Sequence, residues 1–208
     1  DLRDLCDLAT AGLGRVVVVS SMIASALRSY EGGLAVRIRG DGPLGNIVVC
    51  ANSALELKGY ITNPEVELPL NNEGKLDVSK GIGLGTLTLI KDIGLKAPYV
   101  GTCELLTGEI GDDFAYYFNV SEQTPSVVSV GVLIGKDGNV QKAGGYIIQP
   151  LPDCEDKVID KLESINIKLP AMTELMSEGR TIDDIVVNAT GDEKIETFNL
   201  DNLYRYKN

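Results

Sequence analysis

The sequence predicts an α+β fold: a largely antiparallel sheet core flanked by helices, followed by a helical linker packed on the sheet. Three observations carry that expectation. Short runs of alternating apolar and polar residues, such as Leu34-Ala35-Val36-Arg37-Ile38-Arg39, recur between residues 34 and 149, separated by turn residues. A long apolar segment with helical spacing precedes them. After Pro150 and Pro152 amphipathic helical segments replace the strands.

Residues 2–27 place Leu5, Leu8, Ala9, Gly12, Leu13, Val16, Val17, Ile23 and Leu27 at helical spacing, and between Gly14 and Leu27 the helix should be apolar on most sides and hence buried. Gly12 and Gly14 each cost up to ~1 kcal/mol of helix propensity, which suggests close packing against a neighbour. A turn at Glu31-Gly32-Gly33 leads to a strand at 34–39, the turn Gly40-Asp41-Gly42-Pro43-Leu44-Gly45 to a second at 46–52, and a third covers 54–61. These three form an antiparallel meander. Residues 69–77 read as a loop, 86–91 and 99–106 as further strands.

Asp112 and Asp113 stand where carboxylates cap a helix, just before Phe114, Tyr116, Tyr117 and Phe118. Pro125 ends that helix. The run 127–134, the turn Lys136-Asp137-Gly138-Asn139 and the run 140–149 form a hairpin that should complete the sheet. Beyond it, Val158, Ile159, Leu162 and Ile165 line one helical face, and Met172, Leu175 and Met176 another that Gly179 can end. Thr181 with Asp184 reads as a capping box for a helix carrying Ile182, Ile185 and Val186. Three small helices without a core of their own need a surface, and the sheet offers one. The expected organisation is a core domain at 1–152, a helical linker region at 153–197, and the start of a connection at 198–208.

Composition narrows the function. With 208 residues, 44% hydrophobic and 24% charged, the chain can bury a core without a disulfide or metal staple. Its net charge of −11 opposes a phosphate backbone, so nucleic acid is not an expected partner. No uninterrupted apolar run reaches the ~20 residues that span a bilayer, since Ser20, Ser21 and Ser25 break the segment 16–27; a membrane is not expected either. There is no histidine, which excludes Ser-His, Cys-His and His-ligated metal sites from this chain. Cys6, Cys50, Cys103 and Cys154 are scattered and read as reduced, mostly buried thiols of a cytoplasmic protein.

Gly81-Ile82-Gly83-Leu84-Gly85 lacks the G-x-G-x-x-G spacing and the Lys-Ser/Thr of a phosphate loop, and it runs into a strand, so it reads as a turn. Glu104, Glu109, Asp112 and Asp113 could hold a divalent cation, and Glu109, Asp112 and Asp113 could serve a small-molecule hydrolase as acid and base; caps and solvated carboxylates are the plainer reading. The expectation is of no enzyme and no cofactor in this chain.

A set of motifs in order adds a family resemblance. Thr10-Ala11-Gly12-Leu13-Gly14-Arg15, Gly40-Asp41-Gly42-Pro43, Gly59-Tyr60-Ile61-Thr62-Asn63-Pro64, Gly108-Glu109-Ile110-Gly111-Asp112-Asp113, Tyr116-Tyr117, Ser121-Glu122-Gln123-Thr124-Pro125-Ser126 and Ala143-Gly144-Gly145 span nearly the whole chain. Together they resemble the redox-regulated 33-kDa heat-shock chaperone family. That resemblance implies an ATP-independent holdase whose partners are unfolded client proteins, often dimeric, with a linker that folds over the core. It also implies a C-terminal domain in which four cysteines bind zinc until oxidation forms disulfides and activates the chaperone. Here Tyr204-Arg205-Tyr206-Lys207-Asn208 stands where the family's Cys-x-Cys begins, and the family's N-terminal strand region is lacking. Zinc is thus expected only where such a domain exists in the full-length protein. The apolar surface expected to bind clients, or to lie under the linker, comprises Val128, Val130, Val132 and Ile147 of the hairpin with Val158, Ile159, Leu162, Ile165, Leu175, Met176 and Ile185 of the linker.

Overall fold

Helix α1 (Asp7–Ser25) runs between the two sheets of the protein in a computed structural model that describes residues 5–27 and 32–191. The expected helix start at Leu2, the turn residue Glu31, the linker end at 192–197 and the connection at 198–208 lie outside the described residues. A thiol caps α1: the Cys6 Sγ accepts the Ala9 N–H at 3.4 Å and donates to the Val66 carbonyl at 3.1 Å. Leu8, Val16, Val19 and Ile23 are buried, as the apolar spacing predicts. By length and composition α1 could cross a membrane, yet half of it is buried inside the protein.

The two glycines of α1 do the packing their presence suggested. Residues two apart on a helix point to nearly opposite sides. A Cβ on Gly12 would lie 3.3 Å from Leu44 Cδ1, on the side of the larger sheet, and one on Gly14 would lie 2.9 Å from Val132 Cγ2 of the hairpin.

The larger sheet is antiparallel throughout, with strands β1 (Gly33–Gly40), β2 (Asn46–Asn52), β3 (Leu57–Ile61), β4 (Gly85–Asp92) and β5 (Tyr99–Leu105) in the order β3-β2-β1-β4-β5. Leu34, Val36, Ile38, Ile47, Val49, Leu87 and Leu89 line its buried face. The third strand starts later than the alternation predicts, because Asn52 Oδ1 accepts the N–H groups of Ala54 and Glu56 and folds those residues into a turn. A short helix that the sequence pattern did not announce, α2 (Val78–Ile82), precedes Gly83. The glycine-rich segment is a turn, held against the loop at 40–45 by Gly42 N–H to Ile82 O, Leu44 N–H to Gly81 O, and Leu84 N–H to Asp41 Oδ1. Helix α3 (Ile110–Ser121) then buries Phe114, Tyr117 and Phe118.

Strands β6 (Val127–Ile134) and β7 (Val140–Ile148) pair only with each other. The expectation that this hairpin completes the main sheet is therefore corrected: it lies face-on against α1, so neither of its edges meets a strand of the larger sheet. Gly138, at φ +76, supplies the turn conformation expected of Asp-Gly. The linker helices α4 (Asp156–Asn166), α5 (Met172–Ser177) and α6 (Ile182–Thr190) follow, and the predicted capping box of α6 is present, with Thr181 Oγ1 accepting the Asp184 N–H at 3.2 Å and Asp184 Oδ2 accepting the Thr181 N–H at 3.3 Å. The thiols depart from expectation: Cys103 is buried, Cys6 and Cys154 are half-buried, and Cys50 falls on the outward phase of β2 and is exposed.

Replacing Gly14 by Leu is expected to lower stability by about 1–3 kcal/mol. The contact with Val132 outweighs the ~1 kcal/mol that helix propensity would gain. A urea midpoint at or above that of the wild type would show that the hairpin does not press on α1 there.

Candidate functional site

The hairpin has two apolar faces, and the cross-strand register sorts its residues between them. Directly opposed residues share a face, so Val128 with Ile147, Val130 with Gly145 and Val132 with Ala143 lie on one side. Val127 with Ile148, Ser129 with Tyr146, Gly131 with Gly144 and Leu133 with Lys142 lie on the other. The first side faces α1: Val128 belongs to the main core, Val130 and Ile147 pack against it, and Val132 meets Gly14. The second side carries the linker.

The second side forms an apolar cluster of its own. Tyr146, Met172, Leu175, Met176, Ile185 and Ala189 are buried together, with Val127, Leu133, Ile148 and Leu169 packed around them. At its centre Gly131 and Gly144 leave a trough that α5 fills. A Cβ on Gly131 would stand 3.0 Å from Thr173 N, 3.0 Å from Met176 Cε and 3.1 Å from Met172 Cβ.

Among the predicted surface residues, Leu175, Met176 and Ile185 come together in this cluster, and Leu162 is buried. Ile159 is half-buried beside Val127 and Ile148, Ile165 points towards Gly191 at the end of α6, and Val158 is 39% exposed. Val128, Val130, Val132 and Ile147, the hairpin residues expected either to bind clients or to lie under the linker, sit on the core side, away from the linker. A strand's side chains alternate, so an assignment displaced by one residue selects the wrong face throughout.

Polar groups pin the linker at its ends. The Tyr146 hydroxyl donates to Asn166 Oδ1 at 2.8 Å, and Asn166 Nδ2 donates to the Leu162 and Ala189 carbonyls at 2.8 and 2.9 Å, joining β7, α4 and α6. Lys142 Nζ donates to the Met176 carbonyl at 2.7 Å, and Lys75 pairs with Glu174 at 2.7 Å. An open cleft of about 390 Å³ remains between α3, the hairpin and the α4–α5 connection, lined in part by Ala115, Val127, Tyr146, Leu169 and Pro170.

The acidic cluster is scaffold. Asp112 and Asp113 lie inside the first turn of α3, after an N-cap at Glu109 that makes no side-chain bond, and so they favour the helix through its dipole where capping was expected. Asp113 is buried at 1% exposure, and its Oδ1 accepts the N–H groups of Leu106 and Thr107 at 2.8 and 3.0 Å, fixing the turn from β5 into α3. Glu109 is bound by Arg15 at 2.6 Å. Burial lifts the Glu109 carboxyl above its ordinary range although Arg15 pulls it down, and burial with the charge of Asp113 lifts Asp112. With Glu109 held by Arg15 and Asp113 by backbone N–H groups, a hydrolytic pair is not supported. Among the described residues no three His, Cys, Asp or Glu side chains are grouped to hold a metal ion.

A family model described as Hsp33 protein matches residues 1–205. The chain belongs to the Hsp33 family. A 33 kDa chaperonin of Caldanaerobacter subterraneus subsp. tengcongensis is 46% identical over 197 residues, covering 94% of this chain and 67% of the relative. One from Thermoanaerobacter sp. is 48% identical over 193 residues, covering 92% and 66%. The crystal structure of the 33 kDa chaperonin (heat shock protein 33 homolog) from Thermotoga maritima, 38% identical, superposes with a TM-score of 0.85 over 93% of this chain and 66% of that one. This Hsp33-family chain thus spans about two thirds of the length of those relatives, whose names are those of chaperones.

Sequence reasoning missed Gly131 and Gly144 as the seat of the linker in this Hsp33-family chain. The available signal was the pair of glycines inside predicted strands, which marks close approach of another backbone. Gly131→Val is expected to lift α5 and speed limited proteolysis between residues 156 and 191 by about 5- to 150-fold, as overpacking of ~1–3 kcal/mol implies. Unchanged cleavage would place the linker's anchorage elsewhere.

The acidic turn makes a separate prediction. Glu109 and Asp112 hold protons more tightly folded than unfolded, so the stability they contribute is full below the ordinary carboxylate range and is lost as pH rises through their folded values. Between about pH 4 and 7 the urea midpoint of Asp112→Asn should fall less, or rise more, than that of the wild type. Parallel pH profiles would show that Asp112 titrates alike in both states.

Proposed function

We propose that this chain is an ATP-independent holdase: it binds unfolding proteins on the apolar surface shared by the hairpin and the linker and keeps them from aggregating. The observation that carries the reading is the separate cluster around Tyr146. Undocking the linker bares Val127, Leu133, Tyr146 and Ile148 together with the linker's own Met172, Leu175, Met176 and Ile185, while the main core under the other hairpin face stays closed. An apolar patch that opens without unfolding the domain suits a binder of unfolded chains, whose contact is hydrophobic and tolerant of sequence. The net charge of −11 would keep the opened form dispersed.

The family of chaperonins to which the chain belongs supports the same reading, as does a glycine-rich segment that serves as a turn. Within it the partners are unfolded polypeptides, the setting is the cytoplasm, and the assembled form is a homodimer. The activation by oxidation and zinc release implied by the family resemblance finds no site among the described residues: Cys6, Cys50, Cys103 and Cys154 belong to four separate segments and do not converge. Burial raises the Cys103 thiol to about 11, with Asp113 and Glu104 adding to the effect, which keeps it protonated and unreactive near neutrality.

Light scattering of a thermally aggregating client tests the proposal. The chain at stoichiometric excess should suppress scattering, and Gly131→Val should do so at lower concentration. Undiminished scattering with both proteins, even under mild unfolding stress, would overturn the holdase reading.

A further inference from the structure

The five-stranded sheet has an outer face that the function proposed above does not use. Helices α1 and α3 pack against the strands from the side of the core. On the opposite side Tyr60 and Val100 remain 48% and 58% exposed. The central strand β1 turns Arg37 and Arg39 to this side, in the phase opposite to buried Val36 and Ile38. Residues two apart on a strand share a face at a spacing of ~7 Å, so the two arginines rise side by side. Arg15 and Arg180 are ion-paired, yet among the described residues no carboxylate lies within ion-pair distance of Arg37 or Arg39.

The cross-strand register explains why they stay unpaired and accessible. Thr86 stands between Arg39 and Glu104, which keeps that carboxylate two strand spacings away, about 9.5 Å. Short side chains flank both arginines, Asn46 and Thr86 beside Arg39, Val48 and Thr88 beside Arg37. The next row along β1 is apolar: Ala35 lies between Cys50 and Ile90, and Cys50 is exposed. In a chain of net charge −11, two like charges at the centre of a sheet are a place where an incoming carboxylate gains charge-assisted hydrogen bonds and displaces no internal partner.

We propose that this face is a docking surface for an extended acidic polypeptide segment whose alternate side chains run carboxylate, carboxylate, apolar. An extended chain laid along β1 repeats its side chains every ~7 Å, which is the spacing of Arg39, Arg37 and Ala35. Two carboxylates take the two guanidinium groups, and the apolar residue after them meets the row of Ala35, Cys50 and Ile90. A nucleic acid shares the attraction to arginine, but the charge of the whole chain repels it. The face is open with the linker in place, so this surface does not rest on the holdase reading.

The test uses the 208-residue chain and a fluorescein-labelled peptide of sequence T-E-T-E-T-V-T-V, with lysine and glutamine versions at the two glutamate positions. Fluorescence anisotropy should show the glutamate peptide binding about tenfold more tightly than the glutamine one, and less tightly as salt rises. Bound peptide should slow alkylation of the exposed Cys50 thiol by iodoacetamide at least threefold, as read by mass spectrometry. Arg37→Gln with Arg39→Gln should remove the preference for glutamate. Arg37→Glu with Arg39→Glu should transfer it to the lysine peptide, a gain that only a folded sheet can show. Equal affinity for the three peptides, binding that leaves Cys50 unprotected, or an undiminished preference in the glutamine variant would overturn the proposal. Tighter binding of a polyuridylate RNA than of the peptide would overturn it in favour of a nucleic acid, and a dimer that the glutamine variant alone fails to form would give the face to a second copy. Peptide binding without suppression of client aggregation would uphold it and refute the holdase reading instead.

Discussion

A two-stranded sheet has two faces and is marginal by itself, so a hairpin with apolar residues on both sides must be covered twice. In this protein α1 covers one face of β6–β7 and the linker helices cover the other. The alternation of side chains along the strands divides the work: Val128 belongs to the domain core, Val130 packs against it and Val132 meets Gly14 of α1, whereas Val127 and Leu133 belong to the linker contact. The hairpin's contacts with α1 and α3 are separate from those it makes with the linker helices.

The two coverings differ in extent. The main core gathers twenty-six buried residues among those described, and the linker cluster six. Hydrophobic stabilisation follows buried apolar area, so the smaller cluster contributes less of it. Its packing also differs in kind, since two flexible methionines rest on two glycines where the core has branched side chains on a strand surface. Such a contact releases and reseats more readily than an interdigitated one. The polar pins, Tyr146 to Asn166 and Lys142 to the Met176 carbonyl, fix the direction of docking more than its strength.

Features that resemble chemical sites serve the scaffold. Asp113 holds the chain where β5 turns into α3, and its neighbours Glu109 and Arg15 tie α3 to α1. The glycines at 81–85 let the chain pass close to the loop at 40–45, where a Cβ on Gly83 would meet Asp41 Oδ1 at 2.2 Å. The function proposed for the protein belongs to apolar surface, with no single reactive group.

Local pattern determined much of this protein from the sequence by itself. Periods of two and 3.6 residues located the strands, α1 and the linker helices; Asp137-Gly138 located the hairpin turn; Thr181 and Asp184 located the start of α6. The order of motifs located the family. The tertiary structure alone decided which partner each face received. Alternation says that a strand has two faces without saying which is inner when both are apolar, and only the packing shows that Val128 and Ile147 face α1. It says nothing of sheet membership, which depends on whether an edge or a face meets the neighbour; with α1 between them, the hairpin and the five-stranded sheet remain apart. The glycine trough under α5 was equally hidden, because a residue without a side chain shows its purpose only when its occupant is in place.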